Sequence, residues 1–390
     1  MRQRPDNVLS RREFIQRCAI YGIGAAIGAT RISSAFSPSQ EDALQYPLSS
    51  LKEAAYWEPL DNGRVRCRLC PNMCECAEGE ITRCRTRINR NGKLYSAIYG
   101  KPCVLCVDPL SKTPLYHADP GANAVGTATA GCNLTCKYCQ NWDISQVGPW
   151  KTKNMDISPE QLIEKIKDRG VEWVVFSYTE PVAYYEYAID IAKLAKRNDI
   201  HVAVATAGFI SAPPLAELIK YTDAFSVTIK GYSDKFCREI CGCKLEDVMR
   251  TVQTISKSKC WLEVVTLIVP GLNDDMDGLQ RLAYSIVKLN RDIPFHFLRF
   301  SPAYKLKNLP LTPVNVLEKA RRIALAEGIK FVYINMPGHP AANTYCPSCS
   351  RALIERSGFA VVRNDLKKDR CPACSCRIPG FMLSENITKI

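Results

Sequence analysis

The sequence lacks several features that would assign it to a simple class. It has no long low-complexity stretch and no exact internal repeat, and its N-terminal apolar run, 18–29, is only 12 residues long. A helix needs about 20 apolar residues to cross a bilayer. Apolar residues make up 46% and charged residues 23% of the chain, which excludes a disordered or collagen-like protein.

Acidic residues are scarce relative to basic ones, and the 390-residue chain carries a formal net charge of +13. Such a charge ordinarily suggests a nucleic-acid partner. Residues 1–35, however, contribute +4 of it. Cysteines bound to a metal are thiolates, which lowers the charge further. The basic excess is therefore a poor guide to function, and the length predicts one main core with attachments.

The first 35 residues have the pattern of an export signal. Arg11, Arg12 and Phe14 precede the short apolar run, and 33–35 is a small-residue cleavage candidate. The arginine pair resembles the twin-arginine type of signal, which carries proteins already folded around their cofactors. We expect a periplasmic or membrane-associated protein; the alternative is an unused signal and a cytoplasmic protein.

Cysteine, in contrast, is abundant. There are 20 cysteines, and most of them are gathered at short spacings. The chain is too long to be a small disulfide-stapled module, and disulfide frameworks spread their half-cystines, whereas metal sites gather their ligands. The sequence therefore predicts a metalloprotein.

Short apolar or β-branched runs alternate with helical patterns through the middle of the chain. Ser158-Pro159 and Thr312-Pro313 are typical helix starts. This alternation predicts an α/β fold with a parallel sheet, open or closed into a barrel, whose catalytic groups lie at the C-terminal ends of the strands. The predicted strands are 124–130, 173–177, 201–206, 224–228, 261–269, 294–300 and 331–335.

The most informative cysteines are Cys132, Cys136 and Cys139, directly after the first of these strands. Three thiolates at this spacing can wrap one [4Fe–4S] cluster, because a three-residue link spans at most about 10 Å. The fourth iron would then be free to bind a substrate or cofactor, since closed ferredoxin sites use four cysteines. The alternatives are a zinc knuckle and an electron-transfer cluster completed by a distant cysteine.

The spacing C-x₃-C-x-aromatic-C, with Tyr138 as the aromatic residue, resembles the radical S-adenosylmethionine (SAM) superfamily. The resemblance implies a partial (βα)₆ barrel that holds a [4Fe–4S] cluster and SAM, and a low-potential electron donor. SAM would chelate the open iron through its amino and carboxylate groups. Its reductive cleavage would give methionine and a 5′-deoxyadenosyl radical, which takes hydrogen from a protein or small-molecule substrate.

The resemblance also implies cofactor-binding residues at later strand ends. Ser177-Tyr178-Thr179-Glu180 stands where the superfamily has a Gly-Gly-Glu-Pro-like segment that binds the SAM amine. The alternative for Glu180 is an acid that complements a helix N-terminus. Thr228 and Lys230 stand where glycyl-radical activating enzymes show Asp-x-Lys. His296 and Arg299 lie on the sixth strand, and alternation lets at most one of them face the barrel.

Two further groups of cysteines flank the barrel region. The C-terminal group has zinc-ribbon spacing and predicts a structural Zn²⁺, with a rubredoxin-like iron site as the alternative. It consists of Cys346, Cys349, Cys371 and Cys374. The N-terminal group predicts an auxiliary iron–sulfur cluster or a zinc ion, and its spacing does not choose between them. It consists of Cys67, Cys70, Cys74 and Cys84.

Segments outside the barrel, such as 66–71, 114–117 and 343–346, resemble the radical SAM enzyme of the AmmeMemoRadiSam system, kin to pyruvate formate-lyase activating enzymes. This resemblance implies Memo-like and AMMECR-type protein partners, and the kinship implies an activase that makes a glycyl radical. We divide the chain into a signal (1–35), a Cys-rich N-terminal extension (36–115), the radical SAM partial barrel (116–335) and a zinc-ribbon-like module (336–390).

Two other functions compete with a radical SAM activase. A non-catalytic electron carrier with several clusters requires a fourth cysteine for every cluster. A nucleic-acid-modifying enzyme would use basic residues of the ribbon, namely Arg363, Lys367, Lys368 and Arg370. Such a run is more often a solvated face, so we do not expect nucleic acid as a partner.

Overall fold

The computed structural model describes residues 46–381, so the predicted export signal lies outside the described residues. The strands are β1 (Lys52–Glu53), β2 (Trp57–Pro59), β3 (Val65–Cys67), β4 (Glu75–Cys76), β5 (Arg87–Arg90), β6 (Lys93–Ser96), β7 (Val104–Pro109), β8 (Asn123–Ala128), β9 (Trp173–Phe176), β10 (His201–Thr206), β11 (Ala224–Thr228), β12 (Trp261–Ile268), β13 (Phe295–Arg299), β14 (Val332–Ile334), β15 (Thr344–Tyr345), β16 (Ala352–Ser357) and β17 (Ala360–Asn364).

The α-helices lie mainly between the strands of the large sheet. They are Trp142–Ser145, Pro159–Lys167, Tyr185–Arg197, Ala212–Ile219, Asp234–Phe236, Leu245–Ser256, Met276–Leu289 and Val314–Ala326. The helix start predicted at Ser158 is present as a capping box, in which the Ser158 side chain accepts from the Gln161 N–H and the Gln161 side chain accepts from the Ser158 N–H. Among the described residues, none of the helices is long and apolar enough to cross a membrane.

An eight-stranded sheet forms the centre of the molecule, in the order β14-β13-β12-β11-β10-β9-β8-β7. Strands β8 to β14 are parallel, and β7 is antiparallel to β8 at one edge. Each strand from β8 to β13 is followed by a helix, which gives six strand–helix units and then a seventh parallel strand. The predicted α/β fold with a mostly parallel sheet is confirmed.

The N-terminal segment is fastened to this sheet by a buried ion pair. Arg87 on β5 and Glu186 in helix Tyr185–Arg197 lie 2.5 Å apart, and both side chains are almost fully shielded from solvent. Glu186 also accepts a hydrogen bond from the Ala55 N–H. Breaking such a pair strands a charge in the interior, so these contacts hold the Cys-rich segment firmly against the sheet.

A second polar network closes the N-terminal ends of the central strands. Glu263 on β12 accepts from the His117 N–H and contacts His296 Nε2 at 2.7 Å. His117 Nε2 contacts the Tyr333 hydroxyl at 2.5 Å, and Arg356 of β16 stacks on a neighbouring tyrosine ring. This network joins the C-terminal three-stranded sheet, β15-β16-β17, to the large sheet.

Candidate functional site

A cavity with a volume of about 520 Å³ lies at the C-terminal ends of the parallel strands. Cys132, Cys136 and Cys139 line it, and no other cysteine of residues 46–381 does. They belong to the loop after β8, the first parallel strand. Three thiols without a fourth thiol match the ligands of a [4Fe–4S] cluster whose fourth iron is free to bind a small molecule.

The loop that carries these cysteines is braced from two sides. The Ser145 hydroxyl lies 3.2 Å from Cys139 Sγ, and the Gly131 N–H donates to the Ile144 carbonyl. On the other side, the N–H groups of Thr135 and Lys137 donate to carbonyls of a π-helical turn, Cys237–Cys241. Rigid support from neighbouring elements keeps the three sulfurs in place before any cofactor binds.

Cys241 of this π-turn is a sulfur that sequence reasoning missed. It is buried outside the cavity, and its Sγ lies 3.3 Å from the Tyr138 hydroxyl. A hydrogen bond with Cys241 and the positive charge of Lys230 lower the pKa of the Cys136 thiol. The C-x₃-C-x-C spacing of Cys237, Cys241 and Cys243 is visible in the sequence. The sequence does not show that these residues pack behind the loop that carries Cys132, Cys136 and Cys139, which we call the cluster loop.

Glu180 also lines the cavity, in the segment after β9. Its carboxylate accepts from the Thr206 hydroxyl at 2.5 Å, the Ala207 N–H at 2.8 Å and the Val182 N–H at 3.4 Å. Burial raises the pKa of Glu180, and the bonds from Thr206 and Ala207 oppose that rise. The hydrogen bond from the Val182 N–H caps the short 3₁₀ helix Pro181–Tyr184. Glu180 therefore also has the alternative role considered for it, that of an acid at the N-terminus of a helix.

Lys230 supplies a positive charge to the same cavity, after β11. Burial opposes its charge, but the neighbouring Cys136, Cys241 and Glu180 outweigh that effect and raise the pKa of Lys230. A protonated Lys230 partly offsets the negative charge of thiolates bound to a cluster. Thr228, which replaces the expected Asp, also lines the cavity.

Tyr178 adopts a backbone conformation that side chains rarely take, with φ of 63°. It stands at the first glycine position of the Gly-Gly-Glu-Pro-like segment, where glycine would adopt this geometry without strain. The Asn141 side chain donates to the Tyr178 carbonyl at 2.6 Å. The Tyr178 hydroxyl donates to Asp108 on β7 and lies 3.0 Å from Cys106 Sγ. These bonds hold the strained residue.

The structure brings most of the predicted cofactor-binding residues to this one cavity. Besides the three cysteines, the lining residues from that set are Tyr138, Ser177, Tyr178, Thr179, Glu180, Thr228 and Lys230. His296 is the exception, because it lies in the closed network below the cavity and both its ring nitrogens have partners, Glu263 and Asn335. Arg299 lines the cavity instead, at the end of the same strand.

The four C-terminal cysteines form a separate site. Their sulfurs lie within 4.8 Å of one another, with Cys346 Sγ 3.5 Å from Cys374 Sγ and Cys349 Sγ 3.6 Å from Cys371 Sγ. Sulfurs at about 2.3 Å from one tetrahedral ion are roughly 3.8 Å apart, so this arrangement fits a single metal ion. Nearby, Arg363 pairs with Asp365 and Glu355.

The N-terminal cysteines gather at a second, smaller cavity. Its cysteine lining is Cys67, Cys70, Cys74 and Cys84. Cys76, which lies in the same segment, is buried elsewhere and does not reach it. The four cysteines predicted as ligands of a second cluster or a zinc ion therefore line one cavity.

Comparison with known proteins agrees with the class that this site defines. A family model described as the radical SAM superfamily matches residues 127–283. The chain is 41% identical over 332 residues to an uncharacterised protein of Methanocaldococcus jannaschii, an alignment that covers 84% of this chain and 99% of that one. It is 31% identical over 216 residues to the pyruvate formate-lyase-activating enzyme of Clostridium pasteurianum, covering 51% and 87%.

A solved structure of SuiB from Streptococcus suis bound to S-adenosylmethionine has a TM-score of 0.45 and 14% identity, and the alignment covers 61% of this chain and 56% of that one. The chain belongs to the radical SAM superfamily. The family implies SAM and a [4Fe–4S] cluster as cofactors, and the cysteines of the main cavity fit that cluster.

Proposed function

We propose that this protein is a radical SAM activating enzyme that takes a hydrogen atom from a protein substrate, in the manner of the glycyl-radical activating enzymes. Cys132, Cys136 and Cys139 would hold the cluster, and SAM would occupy the remaining iron. The observation that carries the proposal is the cavity at the strand ends, where three thiols, Glu180 and Lys230 meet. Activating enzymes among its relatives favour a protein substrate and a one-electron reductant.

When bound, the cluster would supply the electron for reductive cleavage of SAM. Glu180 would accept hydrogen bonds from the SAM ammonium group, and Thr206 and Ala207 fix the direction of its carboxylate. Lys230 keeps its proton and balances the thiolate charge beside Cys136. The barrel walls exclude water from the radical.

The C-terminal module contributes to the same cavity. Phe359, in the turn between β16 and β17, lines it together with Lys112 and Asp108 at the β7 edge. The Ser111 hydroxyl donates to the Phe359 carbonyl, which ties this turn to the sheet. We propose that the module is a zinc ribbon, and that its Zn²⁺ stabilises the turn which shapes the substrate opening above the six strand–helix units of a (βα)₆ barrel.

The wider assignment rests on sequence resemblance. We also propose that the protein belongs to the AmmeMemoRadiSam system and has Memo-like and AMMECR-type proteins as partners. The twin-arginine pattern of residues 1–35 supports export to the periplasm or the outer face of the membrane, with the cofactors already loaded. Fractionation of a C-terminally tagged protein tests this point; a full-length protein found only in the cytosol contradicts it.

The catalytic proposal is tested by anaerobic reconstitution, reduction with dithionite in the presence of SAM, and chromatography for 5′-deoxyadenosine. We expect the wild type to form it and Cys136→Ala to form none. Cys260→Ala is the matched control, because the Cys260 thiol donates to the Thr222 carbonyl and does not line the cavity. A wild type that carries a reducible cluster yet forms no deoxyadenosine contradicts the proposal and favours an electron carrier.

A further inference from the structure

We propose that the N-terminal cavity holds a second iron–sulfur cluster, ligated by four thiolates, which passes electrons to the SAM-binding cluster. The ligands are Cys67, Cys70, Cys74 and Cys84. The existence of this cluster is independent of the proposed function, whereas its role as a relay rests on it. We name the four residues the auxiliary cysteines.

The spread of the sulfurs distinguishes a cluster from a single metal ion. The four cysteines of the C-terminal module place their sulfurs within 4.8 Å of one another, as a single ion requires. Among residues 46–381, no three of the auxiliary cysteines are grouped closely enough to hold a single metal ion in this way. In a cluster each thiolate binds a different iron, so the sulfurs surround a larger object and lie further apart. One chain thus contains both arrangements.

Polar groups lie beside the auxiliary cysteines. Leu69 and Asn72 line the same cavity as the four cysteines. The Thr82 hydroxyl lies 3.0 Å from Cys84 Sγ and can donate to it, whereas the Thr86 hydroxyl, also 3.0 Å away, donates to the Ala183 carbonyl. Donors around the sulfurs stabilise thiolates and tune the potential of a cluster.

A buried cation faces the same space. Arg87 lines the cavity, and its Nη1 lies 3.6 Å from Cys67 Sγ. Its Nε is buried and has no hydrogen-bond partner, although the other guanidinium nitrogens bond to Ala55 and Glu186. An unpartnered buried donor is costly. An anionic thiolate cluster in the cavity would satisfy it.

The two cavities share a wall, because neighbouring residues of the same segments line both. Cys132 lines the main cavity, and the next residue, Asn133, lines the auxiliary one. Glu180 lines the main cavity, and Val182, two residues further along, lines the auxiliary one. Gly131 packs so closely on Cys84 that an added Cβ would lie 2.5 Å from the Cys84 carbonyl oxygen. Two clusters in these positions are near neighbours, which makes electron transfer between them efficient.

A low-potential one-electron carrier protein, such as one of the ferredoxin or flavodoxin class, would lose one electron to the auxiliary cluster. The auxiliary cluster would pass this electron to the SAM-binding cluster and so return to its oxidised state. On cleavage of SAM the electron would end on the sulfur of methionine, and the carbon of the broken bond would keep the unpaired electron. The second cavity lies on the N-terminal side of the cluster loop, so the SAM cavity stays free for cofactor and substrate.

Iron and acid-labile sulfide analysis tests the second cluster. We expect about eight iron atoms per reconstituted wild-type chain if both sites hold [4Fe–4S] clusters. We expect a twofold lower content in the Cys132→Ser/Cys136→Ser/Cys139→Ser variant, which should still show the paramagnetic resonance of a reduced cluster. Wild-type iron for one cluster only, or zinc without iron in the variant, overturns the proposal. Circular dichroism verifies the fold.

The relay is tested with Cys67→Ser/Cys70→Ser, and Cys76→Ser serves as the control because Cys76 does not line the cavity. The measurement is the rate of deoxyadenosine formation with a reduced ferredoxin divided by the rate with dithionite. We expect this ratio to fall at least tenfold in the double variant and to hold its wild-type value in the control. An unchanged ratio in the double variant refutes the relay. If no protein forms deoxyadenosine, the proposed function fails, whereas the iron content still decides the second cluster.

Discussion

Gly131 is a residue at which the structure predicts a large effect of a single added methyl group. It lies between β8 and Cys132, and its φ of 89° is a conformation that side chains rarely adopt. A Cβ at this position would lie 2.2 Å from Thr86 Cγ2 and 2.5 Å from the Cys84 carbonyl oxygen. The backbone oxygen cannot rotate away, so Gly131→Ala must move the cluster loop off the Cys-rich segment.

The expected cost has two parts. The positive φ costs about 1–2 kcal/mol, and the overpacking costs about 1–3 kcal/mol. Together they lower the free energy of unfolding by about 2–5 kcal/mol, a large share of the roughly 5–15 kcal/mol typical of a folded domain. Gly170→Ala isolates the first part, because Gly170 has a φ of 59° and no atom within 4 Å of an added Cβ.

Urea unfolding of the cofactor-free forms of the two variants and the wild type, followed by circular dichroism, measures both costs. We expect the midpoint of Gly131→Ala to lie clearly below that of Gly170→Ala, and after reconstitution we expect Gly131→Ala to retain less iron. Equal midpoints with full iron retention would refute the close packing between the cluster loop and Cys84, and with it the shared wall of the two cavities.

Three further changes test separate parts of the site. Glu180→Gln removes a charge-assisted hydrogen bond worth about 1.5–3 kcal/mol, so SAM should bind roughly 10- to 150-fold more weakly in equilibrium dialysis; an unchanged affinity removes Glu180 from the SAM site. Arg87→Met leaves Glu186 buried without its partner and should lower the free energy of unfolding by about 3–5 kcal/mol. The same Arg87→Met substitution should cost less free energy of unfolding when Glu186 is already replaced by Gln. If the losses of the two single variants simply add up in the double variant, the ion pair between Arg87 and Glu186 is contradicted. Cys349→Ser should abolish zinc binding without lowering cluster iron, whereas Cys376→Ser should retain zinc; metal analysis in which both variants keep zinc argues against the four-cysteine ligand set.

Much of the sheet was predictable because its strands are buried on both faces. All four residues of β9 are buried, and such continuous apolar runs between helix signals are a strong indication of a parallel sheet. The predicted strands 201–206 and 224–228 coincide with β10 and β11. Cys132, Cys136 and Cys139 were also predictable, since their spacing is local and a single loop presents them.

Other parts of the site depend on contacts that a single sequence does not contain. Thr206 reaches Glu180 from the neighbouring strand, and Cys241 reaches Tyr138 from a turn about 100 residues further along the chain. His296 faces inward as alternation permits, but Glu263 holds it below the cavity. The alternation of side chains along a strand predicts which face of the sheet a side chain lies on. It does not predict how close to the cavity that side chain lies.

The central claim is that three cysteines leave one iron of the main cluster open for SAM. The most direct measurement is pulsed electron paramagnetic resonance of the reduced wild-type protein with SAM that carries ¹⁵N in its amino group. We predict a hyperfine coupling between this nitrogen and the cluster, which disappears in Cys136→Ala. A reduced cluster in the main cavity that shows no coupling to bound SAM would contradict the account.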